Sequence, residues 1–405
     1  MTGAPAGARV LYQRSGARGA FECIDEGFLA GYRELGCQVA PWTDSPGEPT
    51  MRDMLGSFGP THIVACMHNP DRTLSRWTYD GSVAKLLNAA AHVSARMNPP
   101  DVASFFGSSG IDFSRFPEFG VSSFYTRPGA LTADERRVLG SGVVDLVRTP
   151  LAMDAIGACF RSVLETGVSV LEEPHAADTG RHPPVVTDDP SAYAASFVGR
   201  CWPFKWAHME PYINALRDRF GDRLAVFGSG WPEGVSRGAI DDAGFARVVA
   251  KSSVCLSLHE PTQVLDRPFA QNERVFKLLS MGACVVSDAN LVLAAQFDAG
   301  EELLLADSPD AMVALVEQVG DDPALGRAIA AAGRTRVLAE HTYAHRARRL
   351  LATAADPPAP GSVVSFSGIA QMCDGQGIRA DVGTSDDNRH SPEYGPTGAG
   401  ADAHP

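Results

Sequence analysis

Short apolar runs alternate with helical patterns along most of this 405-residue chain, and that alternation limits the folds it can adopt. Several runs are continuous and rich in Val and Leu, as in strands that helices cover on both faces. Between them apolar residues recur at three- and four-residue steps, as from Phe21 to Leu35, after which Gly36 supplies a stop. This order predicts parallel sheets with right-handed crossovers, and therefore an α/β fold. Strands are predicted at residues 9–13, 37–42, 62–67, 102–106, 143–148, 168–172, 195–198, 224–227, 254–258, 284–287 and 303–306.

One polar segment rich in turn residues, residues 172–184, interrupts the alternation. It separates two parts that each have the size of an ordinary domain. From Asp356 onward the chain is rich in Gly and Pro and lacks apolar periodicity, which is the composition of a disordered segment. The sequence therefore predicts a first domain over residues 1–174, a second over residues 175–355 and a disordered tail over residues 356–405.

Composition excludes several classes of protein. Apolar residues make up 44% and charged residues 20%, the mix of a soluble globular protein. No apolar run approaches the ~18 residues that span a bilayer, and the first residues lack the apolar stretch of a signal peptide. Eight scattered cysteines without a C-x-x-C pair indicate reduced thiols and a cytoplasmic location. The net charge of −13 argues against a nucleic-acid partner, and no signal for an oligomeric state is present.

Two α/β domains place a ligand cleft at the carboxyl ends of their strands, so a nucleotide is the first ligand to consider. The first strand is followed by only a G-x-x-G pattern that begins at Gly16, which we include among the ligand-binding candidates. No G-x-G-x-x-G follows that strand and no P-loop motif occurs, so neither NAD-type nor P-loop chemistry is predicted. A D-x-D metal–diphosphate signature is absent from the sequence as well.

The most informative segment begins the second half of the chain. A strand ends at Gly199, and Arg200 and Lys205 follow on the turn into a helix. The glycine would let the backbone approach an anion, and the two cations would complement a diphosphate beside a helix N-terminus. The alternative is two solvated charges on a loop.

Two further segments carry weaker signals. Gly228, Gly230 and Trp231 follow a strand and offer backbone amides and a flat ring for stacking, or else close a turn and cap the core. His259 ends another strand, and a helix begins near residue 272 with the polar residues Asn272, Glu273 and Lys277 at its start or outer face. This helix start would hold phosphates or sugar hydroxyls; alternatively, Asn272 is an N-cap and Glu273 and Lys277 form an exposed pair.

Taken in order, the motifs of the second half resemble the C-terminal half of GT-B glycosyltransferases: F-V-G-R, V-F-G-S-G-W, L-S-L-H and N-E-R-V-F-K-L-L-S-M-G-A. They are most similar to the spore-protein (CgeB-type) glycosyltransferase-like family, which residues 175–178 and 333–346 also match. The resemblance covers residues 165–352. It implies the GT-B fold, in which two Rossmann-like domains have parallel sheets that face a central cleft.

The resemblance also implies a ligand. The second domain would bind a nucleotide-diphosphate sugar as co-substrate, with no other cofactor, and the first domain would bind the acceptor. Arg200 and Lys205 would contact the diphosphate, the glycine–tryptophan turn would lie near the base, and His259 and residues 272–277 would lie near ribose, phosphates and sugar. The donor-binding candidates are Gly16, Gly199, Arg200, Lys205, Gly228, Gly230, Trp231, His259, Asn272, Glu273, Arg274 and Lys277.

One position departs from the family. Such proteins usually carry a glutamate that binds the ribose hydroxyls five residues before the glycine that ends this helix, and here that residue is Lys277. Lysine accepts no hydrogen bond, so the ribose contact or the nucleotide preference would differ, with Glu273 as the substitute one turn earlier.

Glycosyl transfer requires stabilisation of a departing diphosphate, which cations and helix N-termini supply without a metal. An inverting reaction also needs a base for the acceptor proton, and Glu22 and His68 are the catalytic candidates, although such residues also serve as caps or surface groups. We expect a metal-independent glycosyltransferase. The alternatives are a GT-B nucleotide-sugar epimerase and a non-catalytic sugar-nucleotide-binding protein, which Lys277 favours.

Overall fold

The computed structural model describes residues 7–14, 20–43, 47–49, 51–66, 84–88, 136, 139–140, 144, 146–150, 160–185, 192–260 and 271–365. Two site candidates, Gly16 and His68, lie outside these residues, as does the predicted strand at 102–106. None of the helices in these ranges is long and apolar enough to cross a membrane.

The first sheet has seven parallel strands in the order β12-β6-β5-β4-β3-β1-β2. All four residues of the β5 strand and of the β6 strand are buried, the polar ones included, as expected for strands covered on both faces. The strands are β1 Arg9–Gln13, β2 Gln38–Trp42, β3 His62–Cys66, β4 Ala84–Asn88, β5 Leu146–Thr149, β6 Ser169–Glu172 and β12 Val363–Val364; the helices are α1 Ala20–Glu34, α2 Met51–Phe58 and α3 Arg161–Leu164.

The second sheet has five parallel strands in the order β11-β10-β9-β7-β8. Several of its helices start at side-chain caps: Asp241 accepts a hydrogen bond from the amide of Gly244, and Ser308 accepts one from that of Ala311. The strands are β7 Tyr193–Val198, β8 Leu224–Phe227, β9 Ser252–Ser257, β10 Val285–Asp288 and β11 Leu304–Ala306; the helices are α4 Pro203–Phe220, α5 Asp242–Ala250, α6 Glu273–Ser280, α7 Leu291–Ala294, α8 Pro309–Asp321 and α9 Pro323–Glu340.

The last helix, α10 Tyr343–Ala355, returns to the first sheet. Its buried Ala347, Leu350 and Leu351 belong to the core of that sheet, and the ring of Tyr343 lies 4.9 Å from that of Phe28 in α1. The outgoing and returning chain segments are hydrogen-bonded to each other, because the amide of Ala177 donates to His341 and the amide of Tyr343 donates to Ala177. The two sheets are therefore joined by two adjacent chain crossings.

The structure corrects the predicted start of the tail. Residues beyond 356 pack on the first sheet: β12 pairs with β6, Ser169 donates to the carbonyl of Ala359, and Ser365 donates to Glu172. The boundary at 356 was placed too early because a two-residue strand has no periodicity for a sequence pattern to detect. β4 was missed as well, and the remaining predicted strands overlap observed ones with ends shifted by up to three residues.

Candidate functional site

The carboxyl ends of β7, β8, β9 and β10 meet at one edge of the second sheet, as they must in a parallel sheet. Gly199, Gly228, His259 and Asp288 therefore lie on neighbouring strand ends although the sequence separates them widely. This edge is the candidate site.

The turns after β7 and β8 approach each other closely. Gly228 has φ of +128°, and a Cβ at this position would overlap the carbonyl oxygen of Gly199, while one at Gly230 would overlap that of Cys201. Trp231 donates from Nε1 to the carbonyl of Gly199 at 2.8 Å and packs edge-to-face on Phe197. Backbone packing thus accounts for these residues, and their contact with a base stays a prediction.

The two predicted cations differ in exposure to solvent. Arg200 is exposed, whereas Lys205 is buried at 8% exposure, with Nζ 5.2 Å from the centroid of Trp202 and 5.9 Å from that of Phe197. Burial, and then the neighbouring charge of Arg274, lowers the pKa of Lys205 to about 7. A nearby anion would favour its charged form.

Arg274 is the cation that lies beside Lys205. Its Nε donates to the carbonyl of Val198 at 2.9 Å, its Nη1 donates to that of Leu258 at 3.2 Å, and its guanidinium lies 4.3 Å from the Phe197 centroid. A Cβ at Gly199 would lie 2.5 Å from Nη2, so a larger residue here would force the end of the arginine side chain to shift. Lys205 and Arg274 together make the end of β7 positive.

A buried carboxylate joins two histidines at the same edge. Asp288, the last residue of β10, accepts from Nδ1 of His259 at 2.6 Å and contacts Nε2 of His208 at 2.7 Å. It also accepts from the backbone amide of His259. Burial raises the pKa of Asp288, but the two histidines outweigh burial and hold it well below its usual range.

The start of α6 connects the two sheets. Asn272 stands at its N-cap, but its side chain accepts from Ser257 and donates to the carbonyl of Leu258 instead of capping the helix. Glu273 accepts a hydrogen bond from Tyr343 of α10 at 3.3 Å, and burial raises its pKa to about 7. Lys277 lies 4.8 Å from the Phe245 ring, and both Glu273 and Lys277 are half-buried, so an exposed ion pair is not what forms.

The start of α1 faces this helix start. Glu22 is exposed in the first turn of α1, and the adjacent Cys23 is buried close enough to Glu273 and Lys277 to feel their charges. Burial is the main cause of the raised pKa of the Cys23 thiol. Glu22 thus lies on the side of the first sheet that approaches the candidate site.

Sequence reasoning missed Asp288 and His208. A signal for both exists: Asp288 is the charged residue at the end of a buried strand, and His208 follows Lys205 by three residues and so lies on the same face of α4. The contact between them depends on strand order, which spacing alone does not specify.

Residues 209–352 match the sequence model of a family described as glycosyl transferase-like. This part of the chain is similar to that family. The match confirms the predicted enzyme class, glycosyltransferase. No protein of curated function matches the sequence.

Solved structures of similar fold have low sequence identity to this chain. Sucrose-phosphate synthase from Thermosynechococcus elongatus has a TM-score of 0.53 at 14% identity, covering 85% of this chain and 97% of that one. A glycosyltransferase from Rickettsia africae has a TM-score of 0.55 at 9% identity, covering 87% and 99%. HepE from Anabaena, solved in complex with UDP-glucose, has a TM-score of 0.51 at 12% identity, covering 86% and 99%. These similarities confirm the α/β GT-B fold.

Proposed function

We propose that this protein transfers a sugar from a nucleotide-diphosphate sugar to an acceptor. The observation that carries the proposal is the pair of cations at the end of β7, Lys205 and Arg274, in a chain whose net charge is −13. A positive site with one buried and one half-buried cation beside the start of the 18-residue α4 suits a diphosphate, because the helix N-terminus adds its own partial positive charge.

The same arrangement supports leaving-group chemistry. As the sugar–phosphate bond breaks, negative charge develops on the diphosphate, and fixed cations in a buried site stabilise it without reorganising. Arg200, exposed at the rim, would add a mobile contact to the diphosphate. The donor would lie on residues 175–355 and the acceptor on residues 1–174, with Glu22 or His68 as the base of an inverting reaction.

The subfamily and the donor nucleotide are also part of this proposal. We infer a CgeB-type transferase from the motifs of the second half, and the fold shared with Anabaena HepE, solved with UDP-glucose, makes uridine diphosphate sugars the first donors to test. Metal independence and a cytoplasmic location stay predictions.

The test is calorimetry with a panel of nucleotide sugars, followed by measurement of released nucleoside diphosphate. Arg200→Ala and Lys205→Ala should each weaken donor binding by about 1–3 kcal/mol, the range for charge-assisted hydrogen bonds. Matched controls are Arg217→Ala on the exposed face of α4 and Lys251→Ala at the opposite edge of the sheet, which should bind as the unaltered protein does.

The outcomes separate the candidate functions. Transfer or hydrolysis supports a transferase, conversion to a sugar isomer identifies an epimerase, and tight binding without turnover identifies a binding protein. Unchanged affinity in both cation variants would contradict the assignment of the diphosphate site.

A further inference from the structure

The carboxylate of Asp288 is the centre of a buried polar array that the proposed diphosphate contacts do not use. Its side chain is 1% exposed, and its partners His259 and His208 are 0% and 18% exposed. The carboxylate thus accepts hydrogen bonds from the ring of His259, from the ring of His208 in α4, and from the backbone amide of His259. An arrangement with this many bonds fixes the orientation of both rings.

The orientation of His259 has a chemical consequence. An ionised carboxylate only accepts hydrogen bonds, so the proton of His259 that faces Asp288 must be on Nδ1. In the neutral ring, Nε2 then carries a lone pair and accepts a hydrogen bond. Nε2 of His259 is buried and has no hydrogen-bond partner in the part of the chain that the structure describes. A buried acceptor of this kind is costly unless a ligand or water satisfies it.

We propose that Asp288 is a positioning residue for the donor: it fixes His259 in the Nδ1–H form, so that Nε2 accepts a hydrogen bond from a hydroxyl group of the nucleotide sugar. This inference rests on the proposed function. For the neutral ring a hydroxyl is the partner that fits, because a lone pair requires a hydrogen and an ionised diphosphate has none to donate. The cations Lys205 and Arg274, which feel the charge of Asp288, serve the phosphates.

His208 joins this array to the diphosphate site. It stands one turn after Lys205 on α4, and its ring lies 5.4 Å from that of Tyr212. Through His208 the second oxygen of Asp288 is held to the helix that carries the lysine. The hydroxyl-binding and phosphate-binding parts of the site are therefore held in one geometry.

The test compares three probes by calorimetry: the nucleotide sugar that the panel identifies, its nucleoside diphosphate, and inorganic pyrophosphate. Asp288→Asn should weaken binding of the nucleotide sugar at least tenfold more than it weakens binding of pyrophosphate. If only the nucleotide sugar loses affinity, the partner of His259 Nε2 is a hydroxyl of the transferred sugar. If the nucleoside diphosphate loses affinity equally, the partner is a ribose hydroxyl. Equal loss with pyrophosphate would overturn the proposal. Asp310→Asn, an exposed substitution in α8, is the matched control.

Two further readouts distinguish positioning from a structural role. Since Asp288 acts through His259, the double variant should bind no more weakly than His259→Gln alone. Nitrogen-15 NMR of labelled histidine, assigned with His259→Gln, should show Nδ1 protonated in the unaltered protein and a changed pattern in Asp288→Asn.

Where Asp288→Asn fails to fold, His259→Gln with the three probes gives the same test. Unaltered sugar binding in the variants overturns this inference alone, whereas absence of any nucleotide-sugar binding by the unaltered protein overturns the proposed function and this inference with it.

Discussion

Lys205 illustrates how burial changes the chemistry of a single residue. An exposed lysine stays charged at all physiological pH values, but burial and the charge of Arg274 lower the pKa of Lys205 to about 7. Its ammonium group lies near two aromatic rings, and the charges of Glu260 and Asp288 partly offset the lowering of its pKa. A bound diphosphate would supply the close opposite charge.

This pKa predicts a pH-dependent donor affinity. Below pH 7 Lys205 is already protonated in the free protein, which is the form that a diphosphate favours. Above pH 7 Lys205 is mostly neutral, so binding of the diphosphate must be accompanied by uptake of a proton. The dissociation constant for a nucleotide sugar should therefore rise with pH above 7, by at most about tenfold per unit. A nucleotide sugar is the right probe because it lacks the terminal phosphate that itself titrates near pH 6.

The matched variant is Lys205→Arg, whose side chain stays charged across this range and should bind with a flat pH profile. Calorimetry from pH 6 to pH 9 in one buffer series checks both. A flat profile in the unaltered protein would show that Lys205 does not meet the diphosphate.

At the scale of elements, two glycines set how closely α1 and α10 pack. A Cβ at Gly27 would overlap the ring of Tyr343, and one at Gly31 would lie 2.6 Å from the carbonyl carbon of Tyr343. The backbone of α1 therefore lies directly against the ring and the backbone of Tyr343 in α10. This contact holds the returning helix on the first sheet.

Gly27→Ala and Gly31→Ala should each destabilise the protein by about 1–3 kcal/mol, because an added methyl group in a filled core forces the backbone to shift. Gly56→Ala in α2 is the control, since its Cβ meets nothing within 4 Å and alanine is the better helix former. Urea denaturation would measure all three. An equal free energy of unfolding for Gly27→Ala and Gly56→Ala would show that the contact between α1 and α10 accommodates a methyl group without loss of stability.

Arg346 stabilises the two chain crossings between the sheets. It is fully buried and donates to the carbonyls of Pro174, His175 and Glu340 at 3.0–3.1 Å, with Glu173 3.5 Å from its Nε. One guanidinium thus binds both the outgoing and the returning segment.

Arg346→Met should lower the free energy of unfolding by about 3–5 kcal/mol, because it leaves three carbonyls without their donor and removes one of the two arginines that lie near the buried carboxylate of Glu173. Arg348→Met, two residues further along the same helix and half-buried, should change it by under about 0.5 kcal/mol. Thermal and urea unfolding of the pair are the measurement. Similar stability of the two variants would mean that the crossings do not depend on this arginine.

At the scale of the whole molecule, the first sheet is completed by a strand that follows the last helix, α10. β12 forms its edge beside β6, and Arg349 donates to the carbonyl of Ser365 at 2.7 Å. A sheet edge formed by residues 363–364 depends on chain that follows α10 directly.

Truncation after Ala355 should therefore lower the melting temperature by several degrees, since it removes the strand and the hydrogen bonds of Ser362 and Ser365. Truncation after Ser367, where the compact unit ends, should leave melting temperature and donor binding unchanged. Calorimetric melting of the two shortened chains makes the comparison. An unchanged melting temperature after truncation at Ala355 would show that β12 contributes no stability.

The sequence alone determined the fold class and the position of several strand ends. Periodicity of apolar residues is set by which face of each element is buried, so a local pattern suffices to predict parallel strands joined by helices. The same reasoning located Gly199 and His259 at strand ends, because a glycine or polar residue after a buried strand interrupts the apolar run.

Only the tertiary structure decided which of these residues meet. The order β11-β10-β9-β7-β8 places Asp288 beside His259, helix α4 brings His208 to Asp288, and Arg274 and Lys205 meet at the ring of Phe197. Strand order and helix docking depend on contacts between segments far apart in the chain, and spacing along the sequence carries no record of them. For the same reason β12 and the contacts of α10 emerged only when distant segments were packed together.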